Sequence, residues 1–478
     1  MKPTLQFLAA LLLAPLPALH AADAPTASTI AADATFSQVA QPSGFPPEMP
    51  KLSDVCMRLF ALKQPGVSAE QMLAAGSDFH ITRGVWSYIE DESFIKSVRA
   101  KGWEFQGSLC MTLLDPSLAL RDREDKPIGT NGQSDKAPFR ADNANPEYRR
   151  LYLERAKRLV DMGVSSFQRD DPDEGFFDWG KKGRRDAIPD AELLEFHRWA
   201  RTEIEKYAGR KLTFSTNCHS DPPFMPVFDY RMTEVRFRTM DGTKEVISPQ
   251  RIREIGLTAR KEKKLFVLTG QEDVPAEDYR WIWATSYATG NLYIVPWDQF
   301  QNVTLDPVTR QPLNPHPPRI FIAQAKFADL TGFVRANADI LDGYEEAAVG
   351  GYDLQDASSG DDAPVRIEDS SGKLSAFVRA KPGDANAPVV IHLVEREQGA
   401  ASTLRLPTAR FFGKHAVKVT LREPLPYDVA LHAKAEKDKQ YRSLIRETIV
   451  TTTNEGASTL VSVPALNPWG VLVVEKLP

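Results

Sequence analysis

Residues 264–297 read KLFVLTGQEDVPAEDYRWIWATSYATGNLYIVPW. An apolar run ends at Gly270, a stretch of helical period follows and closes at Gly290, and a second apolar run begins at Asn291. Glycine is the usual residue just beyond the C-terminus of a helix. Parallel strands need a crossover connection and are buried on both faces, so this pattern predicts a strand, a helix and a second parallel strand.

The same alternation extends through most of the chain. Strand-like runs lie at 57–62, 79–86, 104–109, 165–170, 211–217, 230–237, 264–270 and 291–297. Eight such units predict a (β/α)8 barrel, a TIM barrel, over residues 51–348, closed by a long helix over 319–347. Residues 218–229, CHSDPPFMPVFD, leave no room for a helix after strand five. The alternative is an open doubly wound sheet, but no glycine-rich phosphate loop follows the first strand, and we predict no cofactor.

The ends of the chain differ from this region. Residues 1–22 place one lysine before an apolar run and end in small residues, which is typical of a secretory signal peptide. Residues 23–50 are rich in Ala, Thr, Ser and Pro and predict a disordered leader. The first apolar run is too short to span a bilayer. We therefore expect a secreted or periplasmic protein without membrane insertion.

The pattern changes again near Gly350. Residues 349–373 are polar and rich in Gly and Ser, and we interpret them as a linker. Residues 374–478 contain short alternating runs, including YDVALHAK at 427–434, and predict a C-terminal all-β sandwich that serves as an accessory domain.

Charge and cysteine content narrow the classes of partner. The net charge is −5 without a long basic run, which argues against nucleic acid and anionic membrane surfaces. The three cysteines, Cys56, Cys110 and Cys218, lie far apart and do not suggest a disulfide framework. The oligomeric state is left open.

An acidic stretch, GVSSFQRDDPDEGFFDW at 163–179, marks the end of strand four. The C-terminal ends of barrel strands face the active site, so Asp170 and Asp171 are expected there. The same rim collects further candidates: Trp86 after strand two; Asp173, Glu174 and Trp179 after strand four; Asn217 and His219 after strand five; Glu234 on strand six; Gln271 and Glu272 after strand seven; and Trp297 and Asp298 after strand eight.

Carboxylates and indoles around one opening are suited to carbohydrate. Hydrolysis of a glycosidic bond needs one carboxyl group to protonate the leaving oxygen and one carboxylate to attack or to activate water. Crowded acids can supply both forms, because like charges and burial separate their pKa values. The sequence therefore predicts a glycoside hydrolase with an oligo- or polysaccharide substrate.

The layout resembles secreted bacterial glycoside hydrolases with a (β/α)8 barrel and a C-terminal β-sandwich. The resemblance is carried by RDDPDE (169–174), FADLTGFVRANADILDGYEEA (327–347) and VSVPALNPWGVLVVE (461–475). One clan implies glutamates at the ends of strands four and seven, which here are the 170–174 cluster and Glu272, but its Asn-Glu pair is absent. Other barrel glycosidases imply an aspartate on strand four and an acid on strand six. We favour the latter, with Asp171 before Asp170, and Glu234 as proton donor.

Two other classes of function remain open. Polysaccharide deacetylases bind a divalent metal through paired aspartates and two histidines four residues apart. No two of the eight histidines have that spacing, so no metal ligand is predicted. The second alternative is a non-catalytic glycan-binding protein that has lost one carboxylate.

Overall fold

The architecture was analysed in a computed structural model. It describes residues 49–59, 68–110, 112–122, 124–129, 139–170, 190–217, 225–235, 247–261, 265–270, 276–300, 319–321, 323–351, 354, 365–369, 373–397 and 399–477. Within these ranges, no helix combines the length and the apolar character needed to cross a membrane.

The eight predicted strands form one parallel sheet in chain order. They are β1 (Cys56–Arg58), β2 (Arg83–Ser87), β3 (Glu104–Cys110), β4 (Ser166–Asp170), β5 (Thr213–Asn217), β6 (Tyr230–Val235), β7 (Phe266–Gly270) and β8 (Leu292–Tyr293). Cys56 also pairs with Ile294 in a parallel bridge, and the Val295 amide donates to the Cys56 carbonyl at 2.8 Å. The first and last strands therefore meet, which confirms the predicted barrel.

Helices alternate with these strands. They are α1 (Ala69–Asp78), α2 (Glu92–Ala100), α3 (Pro146–Asp161), α4 (Asp190–Ala208), α5 (Pro249–Lys261) and α6 (Ala276–Ala288). Between β5 and β6 the described residues hold only a short 3-10 helix, Met225–Val227, as the prolines there suggested.

Side chains of β4 alternate between two environments. Arg169 stacks on Tyr152 of α3 and Phe196 of α4, so that face of the strand meets the helices. Gln168, one residue earlier, accepts from Ser108 of β3 at 3.3 Å inside the barrel. Because strand side chains alternate with a period of two, Asp170 lies on the inner face with Gln168.

The predicted helix over 319–347 is wrong in part. A strand, Arg319–Phe321, precedes helices α7 (Ala328–Ala336) and α8 (Ala338–Leu341), and strand β9 (Glu345–Gly351) follows them. Gly343 has a φ of +80°, a left-handed conformation that turns the chain out of the helix. Strand β9 then pairs with a strand that begins at Leu374, so sheet structure starts before the predicted linker.

The C-terminal part has two antiparallel sheets. Its remaining strands are β10 (Arg366–Asp369), β11 (Leu374–Ala380), β12 (Val389–Glu395), β13 (Ser402–Leu406), β14 (Val417–Pro424), β15 (Ile445–Ile449), β16 (Thr452–Glu455), β17 (Ser458–Val463) and β18 (Trp469–Lys476). One sheet has the order β9-β11-β12-β18-β14-β15 and the other β10-β13-β17-β16. Antiparallel sheets were predicted here and are confirmed.

One predicted strand of this part is helical. Residues 427–434 lie mostly in α10 (Val429–Asp438), which follows the short helix α9 (Thr408–Phe412). Asp428 caps α10, because its side chain accepts from the Leu431 amide at 2.8 Å. The Ala, Lys and Glu residues that follow are strong helix formers, and the alternation of residues 427–434 alone did not reveal the cap.

The barrel and the C-terminal sheets share a buried core. Trp469 of β18 lies against Phe333 of α7 with ring centroids 4.9 Å apart, and against Trp283 of α6 at 6.3 Å. Phe377 of β11 and Val471 of β18 belong to the same apolar cluster. The two parts are thus packed together through buried aromatic side chains.

Candidate active site

Asp170 lies at the C-terminal end of β4 and is fully buried, with 0% of its surface exposed. Its Oδ1 accepts from Nδ2 of Asn217, the last residue of β5, at 3.1 Å. Its Oδ2 accepts from the hydroxyl of Tyr88, which follows β2. Both carboxylate oxygens are therefore held by donors from outside β4, which fixes the orientation of the carboxylate.

Tyr88 reaches Asp170 because the chain bends sharply at the end of β2. The register of β2 against β3 shifts between Gly84 and Ser87, and Trp86 has a φ of +51°. Its amide donates to Oε1 of Gln106 on β3 at 3.1 Å. A non-glycine residue in this region is strained, and such strain concentrates at functional sites.

Arg58 at the end of β1 forms a second buried group at this opening. Its guanidinium lies 4.2 Å from the ring of Trp86, and one amino group donates to Oγ1 of Thr269 on β7 at 3.1 Å. Thr269 pairs in register with Glu234 of β6. Arg58 was not among the predicted site residues, although an arginine inside the apolar run MRLFAL is a usable signal.

Ion pairs occupy the opposite end of the barrel. Arg83 at the start of β2 donates to Asp54 at 2.7 Å and also to Glu104. Burial pushes the pKa of Asp54 upward, but the nearby Arg83 and hydrogen bonds from Lys51 and Thr82 outweigh it and lower the pKa. Residues at this face of a barrel serve stability rather than chemistry.

Two acids near the rim have structural partners. Glu90 binds Arg155 of α3 at 2.5 Å and lies 3.7 Å from Arg158. Asp91 caps α2 by accepting from the Phe94 amide at 2.8 Å. These contacts explain both residues without chemistry at the barrel opening.

The structure brings together two of the nominated residues, Asp170 and Asn217. Trp86 and Trp297 are both buried, and Arg58 covers a face of Trp86. Glu234 lies on β6 and Asp298 on the strand Trp297–Phe300, but their side chains are outside the described set. Asp171, Asp173, Glu174, Trp179, His219, Gln271 and Glu272 lie outside the described residues. The roles predicted for all of them stay predictions.

Trp281 and Trp283 of α6 are buried in the core. Across the described ranges, no group of three His, Cys, Asp or Glu side chains could hold a metal ion.

The sequence places Tyr88 just after strand two, at the barrel opening, but does not predict a role for it. Its contact with Asp170 depends on the bend at Trp86 and on the β2–β3 register, neither of which has a local sequence signal.

Comparisons with known proteins identify the fold. No family model matches the chain, and no curated protein matches it. Among solved structures, the α-glucosyl transfer enzyme XgtA is similar with a TM-score of 0.52 at 11% identity, over 90% of this chain and 100% of that one. The α-L-fucosidase isoenzyme 2 of Paenibacillus thiaminolyticus has a TM-score of 0.51 at 9% identity, over 89% and 100%.

A variant of the trehalulose synthase MutB is similar to the same degree. Its TM-score is 0.51 at 11% identity, over 89% of this chain and 99% of that chain. These likenesses extend over the barrel and the C-terminal sheets together. The chain has the fold of these carbohydrate-active enzymes. At such low identity the likeness concerns architecture, and the site must be argued from its own residues.

Proposed function

We propose that this protein is a glycoside hydrolase that cleaves O-glycosidic bonds at the C-terminal face of its barrel. The observation that carries the proposal is the buried Asp170 carboxylate, held by Tyr88 and Asn217 where three strands end. A buried carboxylate is costly unless its oxygens are hydrogen-bonded, and here the donors lie at the end of the barrel where active sites form, which favours a functional role.

The two halves of the reaction are assigned to β4 and β6. Asp170 supplies the ionised carboxylate that the attack on the sugar requires, and Glu234 supplies the proton to the leaving oxygen. The sequence favoured Asp171 over Asp170. We now favour Asp170, because its side chain faces the barrel interior and is oriented by two donors. Glu234 is supported by its register opposite Thr269, which is itself bound to Arg58.

The proposed substrate class and location rest on the structural neighbours and on the N-terminal sequence. Three structures of similar fold have printed names that describe fucosidase, glucosyl-transfer and trehalulose-synthase activities. These names favour an oligo- or polysaccharide as the substrate here. The N-terminal residues 1–22 support export to the periplasm or beyond.

A substrate panel tests the proposal. The purified protein is incubated with 4-methylumbelliferyl glycosides and with polysaccharides, and released fluorophore and reducing ends are measured. We expect turnover of at least one glycoside, lost in Asp170→Asn. Glycan binding without release would instead indicate a glycan-binding protein. Acetate release that depends on a bound metal would indicate a deacetylase. If the protein neither cleaves nor binds any glycan of the panel, a role in carbohydrate chemistry is contradicted.

A further inference from the structure

We infer that Tyr88 is the nucleophile of the proposed glycosidase and that Asp170 acts through it as a base. The inference rests on the proposed function and names the group that touches the sugar. The two residues of this hydrogen-bonded pair differ in exposure. Asp170 has no exposed surface, whereas Tyr88 is partly exposed at the opening of the barrel.

The burial of Asp170 limits what its carboxylate can do directly. One oxygen is bound by Tyr88 and the other by Asn217, and a group without exposed surface does not contact a molecule in the opening. A nucleophile must approach the anomeric carbon to about 3–3.5 Å. Tyr88 is the partly exposed residue that contacts Asp170, and its phenol is hydrogen-bonded directly to that base.

The three side chains have the arrangement of an activated nucleophile. Such sites hold a nucleophile within hydrogen-bonding distance of a base, and a third group orients the base. Here Tyr88 is the nucleophile, Asp170 the base and Asn217 the orienting group, with Nδ2 of Asn217 at 3.1 Å from Oδ1 of Asp170. Trp86, whose backbone is strained, lies two residues before Tyr88 at the end of β2.

The chemistry balances in two steps. In the first, the Tyr88 oxygen bonds to the anomeric carbon, the glycosidic bond breaks, Asp170 accepts the phenol proton, and Glu234 gives its proton to the leaving oxygen. In the second, water bonds to the anomeric carbon and gives its proton to Glu234. The bond between the Tyr88 oxygen and the sugar breaks, and Asp170 returns the proton to Tyr88. Two displacements retain the configuration of the sugar.

A second hydrogen-bonded tyrosine–aspartate pair lies outside the site and is comparable with Tyr88 and Asp170. Tyr207 on α4 donates to both oxygens of Asp161 on α3, at 2.8 and 2.9 Å. This tyrosine–aspartate pair is exposed on the helical surface of the barrel. Tyr207→Phe removes the same hydroxyl and the same type of hydrogen bond without affecting the opening, so it serves as the control.

Covalent trapping tests the inference. The wild-type protein is treated with the 2-deoxy-2-fluoroglycosyl fluoride of whichever sugar it releases from the 4-methylumbelliferyl panel, digested with trypsin and analysed by mass spectrometry. Tyr88 is the only tyrosine of the expected peptide GVWSYIEDESFIK, residues 84–96. We expect one fluoroglycosyl group on Tyr88. A group on Asp171 or another carboxylate, or a product of inverted configuration, overturns the inference but leaves the glycosidase proposal intact.

Kinetics provide a second test that does not need an adduct. Tyr88→Phe and Asp170→Asn should each lower kcat/KM by about 10³-fold or more, and the double variant should be no worse than the single ones, because the residues act as a unit. Tyr207→Phe should match the wild type. Losses below tenfold in a folded Tyr88→Phe protein, or losses that multiply in the double variant, overturn the inference. If the wild type turns over no glycoside, the proposed function fails and this inference falls with it.

Discussion

Nε2 of His80 lies 2.8 Å from Nδ1 of His432, and this hydrogen bond joins the barrel to helix α10. His80 precedes β2, and its Nδ1 lies 3.1 Å from a carboxylate oxygen of Glu436. The same oxygen accepts from the Tyr441 hydroxyl at 2.8 Å. Both histidine rings are buried. The contact between barrel and C-terminal part therefore includes a polar chain that is sensitive to protonation.

The first prediction concerns the pH dependence of stability. Burial, and next the neighbouring His80, lower the pKa of His432 to about 4, while Asp428 acts in the opposite direction. The folded pKa lies below the ordinary value of 6.5, so the unfolded chain binds the proton more readily between these values. The contribution of His432 is complete above about pH 6.5 and is lost as the pH falls toward 4.

We expect the free energy of unfolding to fall between pH 7.5 and pH 5, and to fall less steeply in His432→Asn. Urea unfolding at several pH values measures both slopes. His415 is exposed on the C-terminal part, and His415→Asn should keep the wild-type slope. Equal slopes for the wild type and His432→Asn would show that His432 is not responsible for the loss of stability at low pH.

A second prediction concerns Trp469, which fills the contact between barrel and sheets. Trp469→Ala should lower the free energy of unfolding by about 3–5 kcal/mol, because a large cavity opens among Trp283, Phe333 and their neighbours. Trp199 on α4 is only partly buried, and Trp199→Ala should cost less. Urea unfolding compares the two. A smaller loss at Trp469 than at Trp199 would show that the shared core is not tightly packed.

Truncation after Gly350 is the third test. The sequence suggested an accessory domain that docks onto the barrel. The shared core leads us to expect that the barrel also needs the C-terminal sheets for its stability. Removal of these sheets exposes apolar side chains of α6 and α7. The shortened chain should aggregate or lose cooperative unfolding, as measured by light scattering and circular dichroism. A truncated protein with the stability and activity of the full chain would show that the sheets are dispensable.

The barrel could be predicted from sequence because its signals are local. Each strand is an apolar run of the right length, and a glycine such as Gly290, with a φ of +89°, closes a helix without tertiary help. The strand Glu345–Gly351 was missed because its pairing partner begins 23 residues after it ends, at Leu374. Its strand conformation depends on that partner rather than on its own sequence.

The site was less predictable than the fold. The position of Asp170 at the end of β4 follows from strand counting, and so does that of Asn217 at the end of β5. Tyr88 depends on a left-handed residue at Trp86, and tryptophan gives no hint of that conformation. Which aspartate faces inward depends on the phase of the strand, and a shift of one residue would exchange Asp170 for Asp171.

The fourth prediction separates these two aspartates. Asp170→Asn keeps the shape of the side chain but removes the base, so turnover should fall by about 10³-fold or more while glycan binding persists. Asp171→Asn should retain near-normal turnover and, if Asp171 caps a turn, cost about 1 kcal/mol of stability. Steady-state kinetics on one glycoside decide between them. The reverse result would restore the assignment that the sequence favoured.

The fifth prediction concerns Glu234 as the proton donor. A 2,4-dinitrophenolate leaves without protonation, whereas a sugar hydroxyl does not. Glu234→Gln should therefore lower hydrolysis of a natural glycoside by about 10²–10⁴-fold and leave hydrolysis of the matching 2,4-dinitrophenyl glycoside much less affected. Glu254 on α5 is exposed and pairs with Arg251 at 3.1 Å, so Glu254→Gln serves as the control and should behave as the wild type on both substrates. Equal losses on the two substrates would assign Glu234 a role other than protonation of the leaving group, and the search for the donor would move to Glu272.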